Sequence, residues 1–321
     1  MKSCKHLPIR RPVSMAFALL LALGAFQPGT AADAAEAPNR FAATIAPGER
    51  FEVGGVLVER HGAASGRPLI LIPGLASGSW AWQGTVRAFA PTHPVYVLTL
   101  PGFDGRPAAP SKPFAAVRAA VEQLIATRRL DKPVIVGHSL GGILGFAVAE
   151  DQPALLGGVV SIDGLPVMPG TEMMPPGQRV QFAEGMRARV ANAAPAAFAS
   201  QQQVYMRTIG VLDRGQADEL ATLSARSDPA SVGRYVADVL NEDLRPGLKT
   251  IQAPVLLILP FHELDDTQRG ITEDAKTGYY RSLAEGVPRL QVVPVSPARH
   301  FAMIDQPQQV EGLIRDFLKA L

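Results

Sequence analysis

The chain has 321 residues, 47% of them hydrophobic and 19% charged, which is too apolar for a disordered polymer and long enough to bury one large core. Its 31 Lys and Arg against 29 Asp and Glu give a formal charge of +2, an excess too small to imply a nucleic-acid partner. A lone cysteine, Cys4, excludes a disulfide framework.

The first predicted element is a targeting segment. Lys2, Lys5, Arg10 and Arg11 precede an apolar run over residues 13–26, followed by small residues over 29–35. That order is that of a cleavable signal peptide, here residues 1–34, and the run falls short of the roughly 20 apolar residues of a membrane span. A cut after Ala32 removes Cys4 and four of the 31 cations, leaving 27 against 29 acids, a net charge of −2. The expectation is an exported protein, periplasmic or extracellular. It would have no stable membrane anchor after cleavage, no thiol nucleophile, no thiolate metal site and no nucleic-acid partner. Residues 35–46 read as an Ala-rich, disordered leader.

From residue 47 the pattern is that of one α/β domain. Residues 51–60 alternate like an antiparallel hairpin, whereas 68–72, 95–98, 134–136, 159–162, 255–259 and 290–293 are short apolar runs suited to strands buried on both faces. Helical patterns cover 82–90, 115–128, 140–151, 272–283 and 308–320. This alternation predicts a doubly wound, mostly parallel sheet. The rhythm breaks once, at about 166–248, where helical patterns run without a strand and predict a helical cap insertion.

In residues 134–145, VIVGHSLGGILG, an apolar strand turns abruptly into a helix at Ser139. A residue on such a turn stands beyond the carboxyl edge of a parallel sheet, where ligands bind, with a strained positive φ. The strand and helix then approach so closely that only glycine fits two residues before and after, and Gly137 and Gly141 stand there. The N-terminal N–H groups of the helix point at the serine. These residues resemble the nucleophile elbow, Gly-x-Ser-x-Gly, of the α/β-hydrolase superfamily.

A serine nucleophile needs a base. His6 leaves with the signal, His138 flanks the serine and is expected to point elsewhere, and His61 and His93 precede strands at the opposite edge; His262 and His300 remain. His300 follows the last strand and precedes the C-terminal helix, the late-histidine position of the superfamily. The resemblance further implies an oxyanion hole from the backbone N–H groups of Leu75, in the turn after the first parallel strand, and Leu140, just after the nucleophile. Pro73 stands where many relatives carry histidine.

The third member of the triad is open between two places. Asp163 ends the apolar strand 159–162, and some superfamily members keep their acid there. Glu263, Asp265 and Asp266 follow the strand after the cap, the more usual place, although Pro260 replaces the glycine expected in that turn. Asp163 is preferred, because a carboxylate ending an apolar strand needs a partner such as an imidazole N–H.

Ser77, Trp80 and Trp82 are candidates for lining an acyl pocket, as are Met168, Met173, Met174, Met186 and Met206 of the insertion with Phe182, Phe198 and Tyr205. The resemblance implies a serine hydrolase cleaving carboxylic esters with apolar acyl or aromatic groups through an acyl-enzyme, with Ser139, His300 and Asp163 as triad and neither metal nor organic cofactor. C–C bond hydrolase, lactonase, amidase and haloperoxidase chemistry use the same triad, and a non-catalytic module for hydrophobic ligands would keep the fold without needing the Ser139 and His300 pair.

Overall fold

The computed structural model describes residues 41–62 and 65–321, so the expected signal peptide and residues 35–40 of the expected leader lie outside the described residues. Within the remainder of that leader Phe41 is 8% exposed and packs into the core, and Ile45 packs against the same group.

The elements are, in chain order, β1 (Glu49–Val53), β2 (Val56–His61), β3 (Leu69–Ile72), α1 (Gln83–Phe89), β4 (Val95–Thr99), α2 (Pro113–Arg128), β5 (Val134–His138), α3 (Leu140–Asp151), β6 (Gly158–Ile162), α4 (Pro176–Ala191), α5 (Pro195–Tyr205), α6 (Arg214–Ser224), α7 (Pro229–Asn241), β7 (Val255–Pro260), α8 (Glu263–Thr267), α9 (Glu273–Leu283), β8 (Leu290–Val295), α10 (Ala302–Asp305) and α11 (Pro307–Lys319). The strands form one sheet in the order β1-β2-β4-β3-β5-β6-β7-β8. The β1–β2 hairpin meets β4 antiparallel, and every pair from β4 to β8 is parallel.

Side-chain alternation explains why the central strands read as unbroken apolar runs. Leu69, Leu71, Val134, Val136, Val160 and Ile162 face one layer with Trp82, Val86 and Phe89 at α1 and Val310, Ile314 and Phe317 of α11. The residues between them, Ile70, Ile72, Ile135 and Val159, face Val117, Val121 and Leu124 of α2 and Leu144 and Phe146 of α3. Both faces of these central strands are therefore dry, and Ser161, a polar residue inside β6, is buried with its hydroxyl donating to the Gly164 carbonyl.

The edges differ. β1 is exposed or half-buried along its length, and β8 is only partly covered. Between β6 and β7 the chain leaves the sheet through α4–α7, a helical cap over the carboxyl edge. Asp213 and Asp228 each accept a backbone N–H at the start of α6 and α7, which satisfies donors the helix cannot. A π-helical turn, Met206–Gly210, continues α5 and carries the cap back toward the sheet.

Candidate active site

The register fixes which residues share the carboxyl edge. Gly137 of β5 pairs with Ile72 of β3 and Ser161 of β6, so the turns after these strands open side by side. Ser139 has φ 52° and ψ −116°, a backbone conformation costing an ordinary side chain about 1–3 kcal/mol. The ladder and the helix hold it there: its N–H donates to the Ile162 carbonyl at 2.8 Å, and its carbonyl accepts the Gly142 N–H at 2.9 Å. A Cβ on Gly137 would stand 2.1 Å from the Gly141 carbonyl oxygen, and one on Gly141 would stand 2.1 Å from that of Ile72. Ser139 makes no side-chain capping bond to α3, so its hydroxyl is not spent on the helix.

Asp163 follows β6, and its N–H extends the ladder to the Ile258 carbonyl at 2.9 Å before the chain turns through φ 51°. Oδ2 lies 2.5 Å from Nδ1 of His300, and Oδ1 accepts the Tyr280 hydroxyl at 2.8 Å. Burial pushes this carboxyl up, but the adjacent His300 ring, the bond to it, Lys276 and Tyr280 outweigh burial and hold it below its ordinary value. Burial and the same carboxylate push the Tyr280 hydroxyl well up, so it stays a donor.

His300 stands in the loop after β8. Its N–H donates to Ile209 at 3.1 Å and the Phe301 N–H to Gly210 at 2.9 Å, both on the π-helical turn of the cap. Its carbonyl faces Nε2 of His138 at 3.0 Å, which requires the proton of His138 on that nitrogen. His138 therefore does not point away from the site as expected: its buried ring packs 4.5 Å, centroid to centroid, from that of His300, and burial, with the neighbouring His300 ring, pushes its imidazole well below the ordinary value. His61 pairs with Val95 at the amino end of β4, the opposite edge.

Asp265 and Asp266 are each paired with a cation. Asp265 is gripped by Arg299, with Nε to Oδ2 at 2.6 Å and Nη2 to Oδ1 at 3.1 Å, and its Oδ2 lies 2.9 Å from Nδ1 of His262. Asp266 is buried against Lys276 at 3.1 Å and accepts the His262 N–H. Glu263 is exposed at the start of α8.

A cavity of roughly 190 Å³ opens on Ser139, His300 and Asp163, with Leu75 and Leu140 in its wall. Leu140 begins α3, where an N–H has no intrahelical acceptor. The Leu75 turn is pinned by Ser77, whose hydroxyl donates to the Leu75 carbonyl, and by Ser224, which donates to Ala76. Ile143, Leu165, Val167, Ile209, Val239 and Ile271 supply most of the apolar wall, while Asp266, Arg269 and Lys276 stand on one side.

Several expected pocket residues lie elsewhere. Trp80 and Trp82 are buried in the core beneath, Trp80 stacked 6.4 Å from Phe301, and Ser77 points into its own turn. Of the methionines only Met168 lines the cavity; Met206 and Phe198 are core, Met186 packs against it, and Met173 and Phe182 are exposed. The cap's apolar composition serves mainly its own packing. Among the described residues no group of three or more His, Cys, Asp or Glu is arranged to hold a metal ion.

Tyr280, His138, Lys276 and Arg299 were not singled out from the sequence as site residues. Position next to His300 was the available signal for Arg299, and position next to Ser139 for His138; Tyr280 and Lys276 carry none outside the fold.

The matches to known proteins cover the same framework. Residues 69–313 match the model of the alpha/beta hydrolase family. The chain is 25% identical over 260 residues to the biotin biosynthesis bifunctional protein BioHC of Cellvibrio japonicus, an alignment spanning 79% of this chain and 48% of that protein, so it covers less than half of that relative. It is 23% identical over 260 residues to the putative carbamate hydrolase RutD of Pseudomonas savastanoi, covering 78% and 93% of the two chains. A thermophilic esterase from Thermogutta terrifontis superposes with a TM-score of 0.66 at 19% identity, over 85% of this chain and 98% of that one. A mostly parallel eight-stranded sheet, a serine on the turn after its central strand and a family match running from β3 into α11 lead to one conclusion: the chain belongs to the alpha/beta hydrolase family.

Proposed function

We propose that this hydrolase cleaves small carboxylic esters with apolar acyl or aromatic groups through an acyl-enzyme on Ser139. One observation carries the reading: Ser139 and His300 open on the same cavity, and Nδ1 of His300 is held 2.5 Å from a buried carboxylate. With Nδ1 committed to Asp163, Nε2 is the nitrogen left to take the serine proton. Ser139 Oγ bonds to the carbonyl carbon as His300 accepts that proton, and the N–H groups of Leu75 and Leu140 receive the oxyanion. Collapse breaks the bond to the alcohol, which leaves with the proton from His300. Water then repeats the sequence, releasing the acid and restoring Ser139.

The dry wall of Ile143, Leu165, Val167 and Val239 supports an apolar acyl or aromatic group. The volume is below the roughly 300–1,000 Å³ that takes drug-sized ligands, which favours short acyl chains. Residues 1–34 have the composition of an export signal, so the substrate would be met outside the cytoplasm.

A series of p-nitrophenyl esters from acetate to palmitate tests the reading. Turnover should peak at the short end and be abolished by Ser139→Ala and His300→Ala. Turnover that both variants retain would contradict it, and binding of the esters without turnover would favour a non-catalytic module.

A further inference from the structure

The cap does more than border the cavity: its π-helical turn carries the loop that holds His300. Helices end in carbonyls without intrahelical partners and with a partial negative charge. At the end of Met206–Gly210 those carbonyls are taken by three consecutive residues of the loop. Nη1 of Arg299 donates to Arg207 at 2.9 Å and to Val211 at 3.0 Å, the His300 N–H donates to Ile209, and the Phe301 N–H donates to Gly210.

The other arm of the same guanidinium closes on Asp265 of α8 with two bonds. The Arg299 backbone N–H donates to Asp305 at 2.8 Å, and Asp305 also accepts the Leu212 N–H at 2.9 Å. Arg299 is 18% exposed, so its charge is largely out of water and depends on these partners. These bonds use four N–H groups of the planar fork, one more than an ammonium carries.

We infer that Arg299 is a positioning residue for His300, acting as a clamp between the carbonyl end of the cap's π-helical turn and Asp265. The inference rests on the reading of His300 as the general base. Arg299 touches no reacting atom. Its removal leaves four acceptors, two carbonyls and two carboxylate oxygens, short of a donor, and frees the loop to drift. Displacements of about 1 Å at a base cost on the order of 10²-fold in rate.

The test is steady-state kinetics of Arg299→Ala on the best p-nitrophenyl ester, with and without added guanidinium chloride below denaturing concentration. Arg245→Ala serves as the matched control, because Arg245 also grips an aspartate with two bonds, to Asp243, and a backbone carbonyl, that of Glu172, away from the histidine loop. The clamp predicts a fall in kcat of about 10- to 100-fold with KM changed less than about threefold, partial recovery with guanidinium, and kcat near wild type in Arg245→Ala. A kcat within about threefold of wild type in Arg299→Ala overturns it. So does a fall that guanidinium does not lift and that Arg245→Ala matches. Labelling of wild-type Ser139 by a fluorophosphonate separates the two levels: with Ser139 labelled, these failures remove the clamp alone, whereas a wild type that neither labels nor turns over removes the base assignment and the clamp together.

Discussion

At the level of single residues the site is decided by what each polar group is already bonded to. Asp163 has one oxygen on His300 and the other on Tyr280. Asp163→Asn keeps the shape and loses the charge that orients the imidazole and stabilises its protonated form, so kcat should fall on the order of 10⁴-fold with the fold intact. Glu263→Gln, on the exposed end of α8, should retain most activity. Tyr280→Phe removes one donor and leaves the carboxylate buried with an unused oxygen; kcat should fall about tenfold, read on the same ester. Near-wild-type rates in Tyr280→Phe would show that the second oxygen is served by something else. The juxtaposition of Ser139, His300 and Asp163 was legible because each has a local signature at the carboxyl edge: a Gly-flanked turn, a loop between the last strand and the last helix, an acid closing an apolar run. Tyr280 and His138 were not, because nothing in a helical pattern or a neighbouring position says which ring will be packed against which carboxylate or imidazole.

The secondary-structure elements add geometry that single residues cannot. The crossing of β5, α3 and β3 leaves no room at Gly137 and Gly141, where an added Cβ would meet a backbone oxygen at 2.1 Å. Backbone cannot swing aside as a side chain can, so Gly141→Ala should cost about 4 kcal/mol or more, or abolish folding, measured by urea denaturation. A cost below about 1 kcal/mol would mean that α3 can slide on the sheet. The α8 junction gives a pH-dependent test. Burial pushes the Asp265 carboxyl up, but the bonds from Arg299 and His262 outweigh it and hold it below its ordinary value. A folded-state value below the unfolded one contributes stability that is present above the unfolded carboxylate value of about 3.9 and is lost as pH falls through it and through the lower folded value. Urea midpoints of Asp265→Asn should therefore fall less steeply than those of wild type below about pH 5, and superimposable slopes would contradict the pairing. The strands and long helices could be read from apolar runs and periodicity. The four-residue α10, the five-residue α8 and the π-helical turn could not, since such short turns carry no period and are stabilised by the bonds they make across the fold.

For the molecule as a whole, the sheet and its cap make one structure, whose cavity lies where the carboxyl edge meets the insertion. The doubly wound rhythm and its single interruption were legible because they are long-range patterns of burial. The choice of lining residues was not: an apolar cap residue reads the same whether it faces the cavity, as Met168 does, or the core, as Phe198 does. The proposed export signal makes a prediction on this scale. Protein recovered from expressing cells should be in the soluble fraction with its first residue near Asp33 or Ala35, by intact mass, a cut that spares the buried Phe41. Membrane-bound protein retaining Met1 would contradict it.

An acyl-enzyme mechanism requires that Ser139 become covalently modified. Incubation of the purified protein with a fluorophosphonate, followed by peptide mapping, should place a single label on the peptide containing Ser139, and Asp163→Asn should label far more slowly. A protein that takes no label, or takes it on another residue while Ser139 stays free, would contradict the assignment of Ser139 as the nucleophile.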